Sequence, residues 1–143
     1  MQAVEIADAD IEAAVELWRR CGLTRPWNDP FDDIAHARRA ADATILIARE
    51  AERLIATVMV GFDGHRGWIY YLAVEPGVQG AGHGRAMMDA AEAWLKARGA
   101  PKLQLMVRED NVQALGFYER LGLERQAVVT LGKRLDGERD QRP

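Results

Sequence analysis

The chain has 143 residues, a formal net charge of −3 and one cysteine. That length suits a single domain burying roughly 70% of its unfolded surface, and charges of both signs run along it without the basic stripe that tracks a nucleic-acid backbone. Nucleic acid is therefore not an expected partner. Cys21 alone cannot close an internal disulfide, no Cys/His grouping has zinc spacing, and no apolar run approaches the ~20 residues that span a bilayer. The N-terminal MQAVEIADAD is acidic and lacks a basic leader. The expectation is a soluble, unexported, cytoplasmic protein with no membrane partner and no metal.

In chain order, residues 2–6 can form a first strand, and Asp8 or Asp10 can cap a helix whose apolar side is Ile11, Ala14, Val15, Leu17 and Trp18, ended by Gly22. Thr24 to Pro30 holds two prolines, an aromatic and Asn-Asp, a structured loop before a second helix at about 31–41. Residues 44–49 (TILIAR) and 53–62 (RLIATVMVGF) alternate as strands around a turn at Ala51-Glu52. Asp63-Gly64-His65-Arg66-Gly67 is a hairpin-type connection to a strand at 68–74.

After Pro76 come closely spaced glycines and a third helix, about 84–98, with Met87, Met88, Ala91, Trp94 and Leu95 on one side and Asp89, Glu92 and Lys96 on the other. Gly99 and Pro101 stop it. Residues 102–107 (KLQLMV) read as a buried strand, Asn111 to Gly122 as a short helix with a cap and a stop, and 125–135 as a last strand before the polar tail DGERDQRP. The order β-α-α-β-β-β-α-β-α-β, a mixed sheet with helices on its faces, is α+β.

A strand feeding a glycine-rich turn at a helix N-terminus cradles phosphate, because bare amides and the positive end of the helix dipole converge there. A Walker-type loop requires Lys and then Ser or Thr after its last glycine, but Gly82 is followed by His83 and Gly84. The dinucleotide fingerprint requires a small residue where the count from Gly80 and Gly82 reaches Arg85. Gln79-Gly80-Ala81-Gly82-His83-Gly84 instead fits Q/R-x-x-G-x-G/A, the loop that wraps the pyrophosphate of coenzyme A. Here the chain resembles the GNAT superfamily of acetyl-CoA-dependent N-acetyltransferases. The segment from Asn111 to Leu123 is similar to a second GNAT signature, N-x-x-A-x-x-F-Y-x-x-x-G-F, with Leu123 where an aromatic often stands. Together with RPWNDP (25–30), GFDGHRG (61–67) and LGKRL (131–135), these segments resemble the bacterial YpeA-type acetyltransferases.

The resemblance implies the three-layer GNAT fold over residues 1–135, with 136–143 as a tail. Its sheet is mixed and mostly antiparallel, with a splayed gap between the strands at 68–74 and 102–107 where the pantetheine arm of acetyl-CoA inserts. It implies that the amides of Gln79, Gly80, Ala81, Gly82, His83, Gly84 and Arg85 hold the pyrophosphate, that backbone groups of Leu72, Ala73 and Val74 pair with the arm, and that Asn111 contacts it. Those strand side chains also suit plain core, and Asn111 also suits a helix cap. Tyr118 takes the role of general acid, since a phenol with a reference pKa near 10 stays protonated at pH 7; it also suits packing beside Phe117.

The strand at 68–74 has no carboxylate where many relatives carry Glu, and offers Tyr70 and Tyr71. Asp63 and His65, with Glu109 next, are the titratable candidates for a base, turn chemistry and a water relay being the alternatives. Arg25, Trp27, Asn28, Asp29 and Tyr70 are placed at the acceptor, an amine on a small molecule or peptide. Two functions follow: an active N-acetyltransferase, or a catalytically silent acetyl-CoA-binding module acting as a sensor or interaction domain. Oligomeric state is not legible in the residues, although members of the superfamily often form homodimers.

Overall fold

The computed structural model describes residues 2–137. The chain divides into two compact units, one ending at Met106 and the other beginning at Val107.

The first unit is a five-stranded sheet in the order β1 (Val4–Glu5), β2 (Ala43–Glu50), β3 (Arg53–Phe62), β4 (Gly67–Val74), β5 (Leu103–Leu105). The first four strands pair antiparallel and β5 runs parallel to β4. The helices are α1 (Ile11–Arg20), α2 (Pro30–Arg39) and α3 (His83–Ala97). Ala14, Val15, Leu17 and Trp18 of α1 and Ile34 and Ala37 of α2 share one buried cluster with Ile45, Ile47 and Ala73 of the sheet. Because side chains alternate along a strand, the buried Leu46, Val58, Val60 and Ile69 point to the other face, where Met87, Met88, Ala91 and Leu95 of α3 are also buried. Helices thus cover both faces of a mixed sheet, the expected α+β arrangement.

Local chemistry sets the boundaries. Asp29 caps α2, its carboxylate accepting from the Phe31 amide at 2.9 Å, with Pro30 at the first helical position. Asp10 accepts from the Ala7 amide at 2.9 Å and pairs with Arg49 of β2. The β2–β3 turn places Ala51 and Glu52 at φ 50° and 67°, as a two-residue hairpin of primed type requires. Trp94, expected on the buried side of α3, is half-buried beneath the Arg98 guanidinium, 3.5 Å from its ring centroid.

Gly67 opens β4 where a Cβ would sit 2.6 Å from Cδ1 and 2.7 Å from Cδ2 of Leu95. Gly67→Val is expected to cost about 1–3 kcal/mol by overpacking the α3 face, read as a lowered urea midpoint with unchanged slope. Glu75, just past β4, is 6% exposed and bridges Arg20 of α1 (2.6 Å) and Arg53 of β3 (2.8 Å). The hydrogen bond from Arg20 holds its carboxyl below the usual range. A depressed folded-state pKa stabilises above the unfolded value and ceases to do so as pH falls through the folded one. Glu75→Gln should therefore cost about 1–3 kcal/mol at pH 7, and urea curves of variant and wild type should converge below about pH 4.

The second unit contains α4 (Val112–Arg120). Asn111 caps it, Oδ1 accepting from the Ala114 amide at 3.1 Å. At its end the amides of Gly122 and Leu123 reach the carbonyls of Glu119 and Tyr118 at 3.0 and 3.1 Å, with Gly122 at φ 93°. The strand expected at 125–135 is a correction: those residues are irregular. Val128, Val129, Leu131 and Leu135 are 74%, 84%, 90% and 92% exposed. Alternation makes a strand only where a neighbouring edge pairs its backbone and a face takes its apolar side chains. The tail beyond Gly137 lies outside the described residues.

Candidate functional site

Within the first unit, β4 runs into a single 3-10 turn, Pro76–Val78, then Gln79 to Gly82, then α3. Gly80 and Gly82 stand at φ 86° and 87°, backbone that glycine adopts freely. Gly82 is the N-cap, and the first bond of the helix runs from the Ala86 amide to its carbonyl at 3.0 Å. The amides of His83, Gly84 and Arg85 precede that bond and have no carbonyl four residues back inside the helix. No acidic residue stands in the first turn, and a Cβ built on Gly82 would meet nothing within 4 Å. Converging amides, a helix dipole and open space above them fit an anion the size of a pyrophosphate.

Among the described residues, the strand leading into this loop is paired on one side only as far as Ile69. Pairing of β4 with β5 stops at Ile69↔Leu105, so residues 70–74 extend past the described partner strand. On its other side β4 is bulged: Met59 pairs with Tyr70 and Thr57 with Ala73. Tyr71 sits in the bulge at φ 51°. Its ring stacks on Trp18 with centroids 3.7 Å apart and 11° between planes. Its hydroxyl donates to Asp33 Oδ2 at 2.6 Å, and its carbonyl accepts from Thr57 Oγ1 at 2.8 Å. Burial and the Asp33 carboxylate push its pKa far above the ordinary phenol range, while Asn28 also hydrogen-bonds the phenol.

In the second unit, Tyr118 lies in the last turn of α4 and meets Phe117 edge-on, centroids 5.1 Å apart. Burial pushes its pKa up to about 12, so at neutral pH the phenol holds its proton.

The model of one family, described as acetyltransferase (GNAT), matches residues 8–123. The chain belongs to the acetyltransferase (GNAT) family. Solved structures agree on the fold. The aminoglycoside antibiotic 6'-N-acetyltransferase AAC(6')-IG from Acinetobacter haemolyticus superposes with TM-score 0.78 at 18% identity, over 95% of this chain and 100% of that one. AAC(6')-Iy, in complex with the bisubstrate analog CoA-S-monomethyl-acetylneamine, gives 0.79 at 15% identity over 93% and 97%. Glucosamine-6-phosphate N-acetyltransferase from Arabidopsis thaliana gives 0.74 at 20% identity over 94% and 98%.

Against this GNAT frame the expected residues separate. Gln79 through Arg85 form one loop, but two side chains there are occupied. Gln79 Nε2 donates to the Val74 carbonyl at 3.0 Å, and the His83 imidazole, mostly covered, lies 3.8 Å from the Glu50 carboxylate. The backbone of these two residues, more than their side chains, is what the loop offers a ligand. The Val74 carbonyl also accepts from Cys21 Sγ at 3.3 Å, and burial pushes that thiol's pKa up. Leu72 lies in the bulge beside Tyr71, and Ala73 resumes the pairing opposite Thr57.

Asp63 and His65, the expected base pair, lie at the other end of β4. One Asp63 oxygen accepts from the amides of His65 and Arg66, both at 2.8 Å, and the other from Trp68 Nε1 at 3.1 Å. These backbone bonds hold its carboxyl below the usual range. At ~3.3 Å per residue, the strand carries the hairpin about 17 Å from Leu72. This geometry is that of turn chemistry. Tyr70 is 44% exposed, its pKa raised by partial burial and by Asp63.

Of the acceptor-side residues, Arg25 donates to the carbonyls of Gly22 and Thr24 at 2.7 and 2.9 Å, which ties down its own loop. Trp27 is partly buried, Asp29 is the α2 cap, and Asn28 reaches the Tyr71 phenol. Asp33 and Thr57 were not among the expected residues. A buried Thr inside an apolar strand was the available signal for Thr57, since a hydroxyl there requires a partner.

Proposed function

We propose that this GNAT chain transfers the acetyl group of acetyl-CoA to a primary amine by direct attack within a ternary complex. The observation that carries the reading is a strand, unpaired on one side past Ile69, leading through the glycine turn to a helix N-terminus with no acidic residue in its own first turn. The amides from Gly80 to Arg85 would hold the pyrophosphate, with Arg85 at its edge. The backbone of Leu72 and Ala73 would pair with the pantetheine arm, Asn111 contacting it from the second signature. When bound, acetyl-CoA supplies an activated thioester, whose acyl C–S bond is exchanged for a C–N bond to the amine. Tyr118, by its place in the second signature, would hold at Oη the proton that the departing sulfur takes, a task suited to a phenol that stays protonated at pH 7. The base function is assigned to solvent water, because the Asp63 carboxylate is taken up by its own turn.

The family match spans both units, which supports reading 1–135 as one acetyltransferase domain and 136–143 as a polar tail. The YpeA-type subgroup rests on the segments at 25–30, 61–67 and 131–135. One neighbour is an aminoglycoside antibiotic 6'-N-acetyltransferase, a second is bound to a CoA–acetylneamine bisubstrate analog and a third is a glucosamine-6-phosphate N-acetyltransferase, so small cationic amines lead the acceptor panel. Among the described residues no helix is long and apolar enough to cross a membrane; a cytoplasmic setting remains part of this proposal.

Acetyl-CoA calorimetry followed by thiol release against amines tests the reading. Binding with acceptor-dependent release supports it. Binding without release from any amine favours the silent acetyl-CoA-binding module, and no binding to folded protein overturns the reading.

A further inference from the structure

Tyr71 is the one non-glycine residue inside a strand that takes a positive φ among the described residues. A left-handed β-carbon is strained, so the conformation persists only where its surroundings over-determine it. Here they do so from three directions. Trp18 stacks on the ring; Thr57, fully buried, accepts from Trp18 Nε1 at 2.8 Å and donates to the Tyr71 carbonyl at 2.8 Å; Asp33 anchors the hydroxyl at 2.6 Å. The chain Trp18–Thr57–Tyr71–Asp33 thus links α1, β3, β4 and α2 through the bulge. The phosphate loop is moored by other side chains of the same elements: Glu75 between Arg20 and Arg53, and Gln79 on the Val74 carbonyl.

We propose that Tyr71 is a positioning residue: the Trp18–Thr57–Asp33 network holds its left-handed backbone and thereby aims the following peptide groups of β4 along the strand's open edge. The inference rests on the acetyltransferase reading above for its consequence, since those peptide groups are the ones that would meet the acyl-bearing arm. Separate moorings for the bulge and the cradle mean that the two can be uncoupled. Loss of the network slows transfer and leaves the hold on the nucleotide end intact.

The test compares wild type with Tyr71→Phe, which keeps the stack and loses the hydroxyl, and with Thr57→Val and Thr57→Ser. CoA affinity is read by calorimetry, and kcat and KM by thiol release from acetyl-CoA with spermidine, glucosamine, kanamycin and an alanyl peptide as acceptors. Tyr71→Phe and Thr57→Val are each expected to lower kcat about tenfold, the scale of one hydrogen bond, with CoA affinity and KM for acetyl-CoA within about twofold of wild type. Thr57→Ser, which keeps both bonds, restores the rate. In a crystal structure of Thr57→Val, residue 71 leaves the left-handed region. Unchanged kcat in both variants, or kcat and CoA affinity falling together, overturns the proposal. If wild-type protein neither binds CoA nor releases thiol, the acetyltransferase reading has failed instead. The backbone at residue 71 in Thr57→Val then decides the brace alone, and a retained positive φ overturns it.

Discussion

Gly82→Asp is expected to abolish measurable acetyl-CoA binding while leaving the protein folded. Gly82 holds φ 87°, and a Cβ there meets no protein atom within 4 Å. Aspartate is among the few residues that visit left-handed backbone with modest strain, and a carboxylate at a helix N-cap is favourable for the helix itself. The structural cost is therefore small. The electrostatic cost is not, because the substitution puts a carboxylate immediately before the amides of His83 to Arg85 in the chain. At 4 Å and an effective dielectric of 20, one charge opposes another by about 4 kcal/mol, almost three decades of affinity before screening. Calorimetry should show at least about a hundredfold loss, with Gly82→Ala losing far less because it adds no charge. Wild-type affinity in a folded Gly82→Asp protein would remove this loop from the site.

Tyr118→Phe is expected to lower kcat by about 10²-fold or more, the usual contribution of a positioned proton donor, with acetyl-CoA affinity unchanged. Phenylalanine keeps the edge-on contact with Phe117 and the fold of α4, and only the hydroxyl is lost. Because burial holds the phenol near 12, it stays protonated throughout pH 6–10. The wild-type kcat should then show no alkaline fall from Tyr118 in that window. A Tyr118→Phe variant that turns over at the wild-type rate would reassign the proton donor.

The parts of the fold legible in the sequence are those fixed locally. The periodic apolar faces of α1 and α3, the cap at Asn111, the stop at Gly122 and the Ala51-Glu52 turn all lie where neighbouring residues dictate them. The glycine loop was legible for the same reason. Its geometry follows from a few adjacent residues, and a ligand that reads backbone amides leaves its mark in the glycines.

What depended on distant partners was not legible. Residues 125–135 carry a strand's alternation, yet a strand exists only through a neighbour. Base and turn roles for Asp63 are equally compatible with the letters, and the bonds from the Trp68 indole and two amides are visible only in the structure. Nothing in the letters YY at 70–71 says which tyrosine is turned by a bulge. That follows from Thr57 and Trp18, which are 14 and 53 positions away. Asp33 carries no signal of its own in the letters, since an acidic residue in the first turn of a helix already has a sufficient role there.

Strand order in the sheet of the first unit is the same as strand order in the chain. Every hydrogen-bonded neighbour is therefore also a neighbour in time as the polypeptide emerges. The β2–β3 hairpin closes over two residues and β3–β4 over four, so little loop entropy opposes either step, each doubling of loop length adding only about 0.6 kcal/mol. Such a meander favours fast folding by accretion from the hairpin outward. By the time Val74 has left the ribosome, the antiparallel platform on which the glycine loop will sit can already exist.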